Sequence, residues 1–151
     1  MKKLVGSLLA LALAVACAPV DDSEDVSVDV SALEVSEQQV QGPSCEITLY
    51  KPARAGKSRV VAVAEAYCSE KKDGLLPVTL QQKEGRDEWR DVDTGDDEGE
   101  IEDGETSFRA EARTTCKKGE KTVCAVARLD VNGEQNDDRL VSREISIACR
   151  K

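Results

Sequence analysis

The sequence predicts an all-β protein: a seven-stranded antiparallel Greek-key sandwich, reinforced by disulfides and preceded by a disordered leader and tether. Three observations support that class. From Cys45 onward apolar and polar residues alternate at period two, the spacing of half-buried strands, and no stretch shows convincing helical spacing. Turn-forming stretches separate most of the alternating runs: Arg54-Ala55-Gly56-Lys57, Lys72-Asp73-Gly74, Lys118-Gly119-Glu120 and Asn132-Gly133. The expected core is rich in alanine and therefore modest, and the chain carries six cysteines that could reinforce it.

The elements follow in chain order. Lys2 and Lys3 open the chain, Leu4 to Ala16 form an apolar run, and Ala14-Val15-Ala16 places small residues before Cys17. This is the layout of a secretory signal peptide. Its apolar part is shorter than the ~20 residues that span a bilayer as a helix. No other segment approaches that length, so no transmembrane helix is expected in the mature chain. Leu13-Ala14-Val15-Ala16-Cys17 resembles the lipobox of bacterial lipoproteins, with Ala14 standing where Leu is usual. The resemblance implies cleavage before Cys17, a diacylglycerol on its thiol and an anchorage in the cell envelope; two or more acyl chains are what stable anchoring requires. Ala18 after the cysteine resembles lipoproteins sorted to the outer membrane. The same Ala14-Val15-Ala16 also fits an ordinary signal-peptidase site, which would leave a soluble periplasmic or secreted protein.

Residues 1–16 are therefore read as a signal peptide, and 17–44 as an acylated cysteine with a flexible acidic tether. Ala18 to Ser44 holds seven acidic residues, no basic ones and almost no aromatics, too little apolar surface to offset ordering entropy. Residues 45–151 form the domain. Strands are expected near 45–51, 59–68, 76–83, 87–93, 105–116, 122–131 and 140–149. In the clearest run Thr106, Phe108, Ala110, Ala112, Thr114 and Cys116 share one face. Glu105, Ser107, Arg109, Glu111, Arg113 and Thr115 share the other. The strand pattern resembles an immunoglobulin or fibronectin type III sandwich in architecture alone, since Trp89 falls on the fourth strand rather than inside a Cys…Trp…Cys core. A small barrel is the alternative.

With Cys17 acylated, Cys45, Cys68, Cys116, Cys124 and Cys149 remain, and an exported chain can oxidise them. Five is odd, so one thiol stays free or pairs between chains. The midpoint of Cys45 and Cys68 falls at the first turn, which sets them opposite each other across a hairpin and predicts a bridge. A second bridge is expected among the other three. Cys116–Cys124 closes the shorter loop and is preferred; Cys116–Cys149 competes because it matches the core-facing parity better. A C-x-x-C redox motif is absent, and close pairs for zinc are lacking.

Charge and composition remove several function classes. At net −9 the chain is a poor ligand for nucleic acid or anionic lipid. Without histidine there is no Ser-His-Asp or Cys-His catalysis and no imidazole metal site. The stretch from Asp91 to Glu105 carries nine carboxylates and is a weak calcium candidate, through Asp91, Asp93, Asp96, Asp97 and Glu102. The EF-hand template fails there, because Gly95 takes a ligand position and Asp96 the obligatory glycine. A solvated acidic loop is the plainer reading.

The expected function is non-catalytic: an envelope lipoprotein displaying a sandwich for structural work or for an envelope protein partner, with no cofactor and no small-molecule substrate. The alternative is a secreted protease-inhibitor-like protein presenting Lys117 or Lys118 on a disulfide-pinned turn. A hydrolase with paired carboxylates is disfavoured, because such an acid needs a desolvated niche.

Overall fold

The computed structural model describes residues 28–41, 45–56, 58–116, 119–132 and 139–149. These form an all-β sandwich-like domain with two main antiparallel sheets. The first sheet runs, in spatial order, β1 (Val35–Gln41), β2 (Cys45–Tyr50), β4 (Arg59–Cys68), β9 (Glu105–Thr115) and β8 (Glu100–Glu102). In it β3 (Ala53–Ala55) also pairs with β4. The second runs β12 (Leu140–Val141), β10 (Gly119–Ala127), β6 (Val78–Lys83) and β7 (Trp89–Gly95), with β13 (Ile145–Cys149) also on β10. A two-stranded pair joins β5 (Gly74–Leu75) to β11 (Asp130–Val131).

Each of the seven expected strands has a counterpart: β2, β4, β6, β7, β9, β10 and the pair β12 and β13. The count of seven is corrected to thirteen strands among the described residues, and the reasons are local. Pro52 lacks an N–H and interrupts the first hairpin limb. Leu49 pairs with Ala64 but Ala53 with Val61, so one extra residue is inserted and the limb splits into β2 and β3. In the last strand Ser142 takes over from the ladder. Its N–H donates to the Ala125 carbonyl at 2.8 Å, and its Oγ accepts from the Ala125 N–H at 2.8 Å.

The tether boundary is also corrected. Residues 35–41, read as part of a flexible tether, form β1 and pair with β2 from Val35↔Tyr50 to Gln41↔Cys45. An edge strand needs only its backbone to join a ladder, so an acidic composition poor in aromatics does not forbid it.

The core lies between the sheets. Ile47 and Leu49 of β2, the alternate residues Val60 to Ala66 of β4, and Phe108, Ala110 and Ala112 of β9 face Val78, Leu80, Val123, Ala125, Ala127 and Leu140. Ala62↔Ala112 and Ala64↔Ala110 are direct cross-strand pairs, so small side chains line the middle of the first sheet. Thr106 is the polar exception on this parity. It is 1 % exposed, yet its Oγ1 accepts from the Lys72 N–H at 2.8 Å, which ties down the loop after Cys68.

Two seams close the sandwich where one sheet's edge meets the other's. At the first, Gly95 of β7 runs against β9 so closely that a Cβ there would stand 1.8 Å from the Glu111 carbonyl oxygen. Flanking it, the Asp93 carboxylate accepts from the Arg113 N–H and the Asp97 carboxylate from the Arg109 N–H, both at 2.6 Å. At the second seam, Ser36 and Glu37 of β1 reach the N–H groups of Arg143 and Val141, at 3.2 and 3.4 Å. In both places a side-chain oxygen stands in for a missing strand.

Candidate functional site

Cys17, the expected lipid attachment point, and Lys117 and Lys118 of the inhibitor reading lie outside the described residues. No helix among the described residues is long and apolar enough to cross a membrane.

Cys45 and Cys68 form a disulfide across directly paired positions of β2 and β4, with Cα atoms 4.0 Å apart. The hairpin that spans them is centred on Gly56, whose φ of 62° is left-handed and suits glycine. The preferred Cys116–Cys124 bridge is corrected: Cys116 pairs with Cys149, and Cys124 is free. Side-chain parity decides this. Core-facing residues of β10 are Val123, Ala125 and Ala127, so Cys124 points to the opposite face, away from Cys116. The Cys116–Cys149 bridge therefore joins the end of β9 in one sheet to the end of β13 in the other.

The carboxylates of the calcium candidate do not converge. Asp93 and Asp97 are committed to the N–H groups of β9, and Asp91 Oδ1 accepts from Gln81 Nε2 at 2.6 Å. Asp97 is held further by its backbone, which exchanges hydrogen bonds with Leu76 at 2.9 and 3.3 Å. Asp96 and Glu102 are exposed. Among the described residues no three or more His, Cys, Asp or Glu side chains are grouped to hold a metal ion. Sheet closure thus accounts for two of the nine carboxylates, Asp93 and Asp97.

An open depression of about 650 Å³ lies on the first sheet, lined by Glu46, Thr48, Glu65, Ala66, Tyr67, Asp97, Glu100, Ser107, Phe108 and Arg109. It arises from strand register. Glu46, Tyr67 and Ser107 share one cross-strand row, and Thr48, Glu65 and Arg109 the next. Tyr50 donates its hydroxyl proton to Glu65 Oε2 at 2.8 Å. Burial, followed by that bond, pushes the phenol up to about 12. Arg109 Nη2 donates to Glu111 Oε1 at 2.9 Å, and Arg113 Nη2 to Glu111 Oε2 at 2.6 Å. Burial raises the Glu111 carboxyl, but these two guanidinium partners outweigh it and hold it below its ordinary value. The outcome is a fixed charged network rather than a mobile acid. Outward residues Arg109, Glu111 and Arg113 were legible on one strand face; their partner Glu65 became visible only with the register of β4 against β9.

On the second sheet's outer face, Cys124, Gln81 and Asp91 form a row across β10, β6 and β7. The Cys124 thiol is directed to Gln81 Oε1 at 3.6 Å and the residue is 5 % exposed. Burial raises the thiol's pKa, and the charges of Glu144 and Asp91 add to that, so the reactive thiolate is suppressed. Beside it, Lys83 lies 5.4 Å from the centroid of the Trp89 ring and pairs with Glu144 at 3.0 Å.

No protein-family model, curated protein or solved structure matches this chain.

Proposed function

We propose that this chain is a non-catalytic cell-envelope lipoprotein, anchored by acyl chains on Cys17, that displays a disulfide-stapled β-sandwich for structural or protein-binding work. The observation that carries the reading is the pairing of an apolar leader ending at Cys17 with a domain that holds two disulfides. Stable disulfides belong to oxidising compartments, and a chain addressed for export reaches one. Strand order supports the finer fold assignment. Sheets ordered β2-β4-β9-β8 and β13-β10-β6-β7 divide the chain as immunoglobulin sandwiches divide their A-B-E-D and G-F-C strands, which favours an immunoglobulin-like Greek key. The secreted-inhibitor alternative relied on a turn pinned by Cys116–Cys124, and pairing of Cys116 with Cys149 removes that closure.

Intact-mass measurement on protein extracted from envelope membranes tests this. A chain beginning at Cys17 with the added mass of two or three acyl groups is expected. An unlipidated chain in the soluble fraction would overturn the anchor and return the secreted reading.

A further inference from the structure

Residues 28–34 do not stand clear of the domain. They cross the outer face of the first sheet, from Val35 at the foot of β1 to Arg109 on β9, three strand spacings away, or roughly 14 Å. Both ends of this strap are held. At the far end Arg109 Nη2 donates to the Val28 carbonyl at 2.6 Å, while the same guanidinium is steadied by Glu111 at 2.9 Å and Glu65 at 3.8 Å. At the near end the interrupted ladder before Pro52 turns the Lys51 N–H toward the Glu34 carbonyl at 2.8 Å, and the Lys51 ammonium pairs with the Glu34 carboxylate. Between them Asp29 caps a 3-10 turn (Val30–Ala32), accepting from the Ser31 N–H at 3.0 Å and the Ser31 hydroxyl at 2.7 Å. Val61 and Val63 of β4 point to this same outer face by parity. They are 1 % and 0 % exposed and lie outside the inter-sheet core cluster, as covered residues would.

We propose that this strap is a releasable latch, clamped by Arg109, that sets the reach of the membrane tether. The proposal rests on the reading of Cys17 as the anchor. With the latch closed, eleven residue steps lead from Cys17 to its exit at Val28, a span of at most roughly 40 Å even if fully extended. With the latch open, the exit retreats to Val35 and the limit rises to roughly 65 Å. It also moves from the middle of the first sheet to its edge. A guanidinium–carbonyl bond on an exposed face is of the strength that opens and recloses readily, unlike the ladder of β1 on β2.

Hydrogen exchange, read by mass spectrometry on the full chain in phosphatidylethanolamine–phosphatidylglycerol vesicles and on its Cys17→Ser form in solution, tests the latch. Protection of the Ser31, Ala32, Leu33 and Lys51 amides is expected in both preparations. Arg109→Gln should speed their exchange about tenfold while the amides of β4 keep wild-type rates. Lys51→Ala, which removes the ion pair of the other clamp and leaves its backbone bond, should loosen Ser31 to Leu33 in the same direction and by less. Exchange of these amides at unprotected rates in the wild type, or rates unmoved by Arg109→Gln, would overturn the latch. Co-sedimentation of the Cys17→Ser chain with the same vesicles when they are added to it, with the strap still protected, would overturn the anchor, and with it the tether role.

Discussion

The two seams of the sandwich solve one problem with different tightness. Where β7 meets β9, the backbones touch: Gly95 leaves no room for a Cβ, and two carboxylates bind β9 N–H groups at 2.6 Å. Where β1 meets β12, the bonds are longer, 3.2 and 3.4 Å, and come from a hydroxyl and a single carboxylate. Charge-assisted, short bonds are about twice as strong as neutral ones. The first seam is thus built into the fold, while the second joins the N-terminal strand as an attachable edge. Two carboxylates of the acidic run that reads as a possible calcium loop, Asp93 and Asp97, are the hardware of the tight seam.

Gly95→Ala tests the tight seam most severely. The new methyl would collide with backbone, so β7 must move off β9, and a loss of about 3–4 kcal/mol is expected in urea unfolding. A loss under about 1 kcal/mol would mean the seam is as loose as its counterpart. Cys116→Ser with Cys149→Ser removes the covalent link between the sheets and should cost about 3 kcal/mol, whereas keeping wild-type stability would show that the seams alone hold the sheets together. Asp97→Ala should cost about 1–2 kcal/mol and Ser36→Ala about 0.5 kcal/mol. Equal losses at both would erase the distinction between the seams.

Glu111, next to the Gly95 contact, supplies a smaller, pH-dependent effect. Its carboxyl sits lower in the folded than in the unfolded chain, so its contribution is present above the unfolded value of 4.5 and fades as pH falls through the folded one. Glu111→Gln should flatten stability against pH on the acid side of about 4.5 and leave the slope near neutrality unchanged. An unchanged acid limb would mean the Arg109 and Arg113 pairs contribute nothing. The smallest effect is at Cys124. Native protein should react with iodoacetamide at pH 8 far more slowly than urea-unfolded protein, and equal rates would contradict a buried, thiol-form cysteine.

Alternation was a dependable guide wherever one face is buried. The run from Glu105 to Thr115 is β9, with Thr106, Phe108, Ala110 and Ala112 inward as read, because a one-residue slip would expose Phe108 and its neighbours. The Cys45–Cys68 pairing was legible for a related reason: a hairpin fixes its own register, so counting back from the turn suffices. Loop length misled at Cys116, whereas parity had favoured Cys149. A strand shows its residues to opposite faces whatever the distance along the chain, and Cys124 faces the wrong way. Edge strands were the blind spot. Strand β1 carries little inward pattern, since its membership comes from backbone pairing with β2 and from Ser36 and Glu37 bonds to residues over a hundred positions away.

The sequence by itself determined the all-β class, the position of the main strands and the first disulfide, because each is written in local periodicity or turn chemistry. Only the tertiary structure decided the second disulfide, the role of Asp93 and Asp97, and the course of residues 28–34 over the first sheet. Those depend on which edge meets which across the sandwich. Long-range contact of that kind is selected by the packing of whole sheets; local parity narrowed the choice at Cys116 but did not fix it.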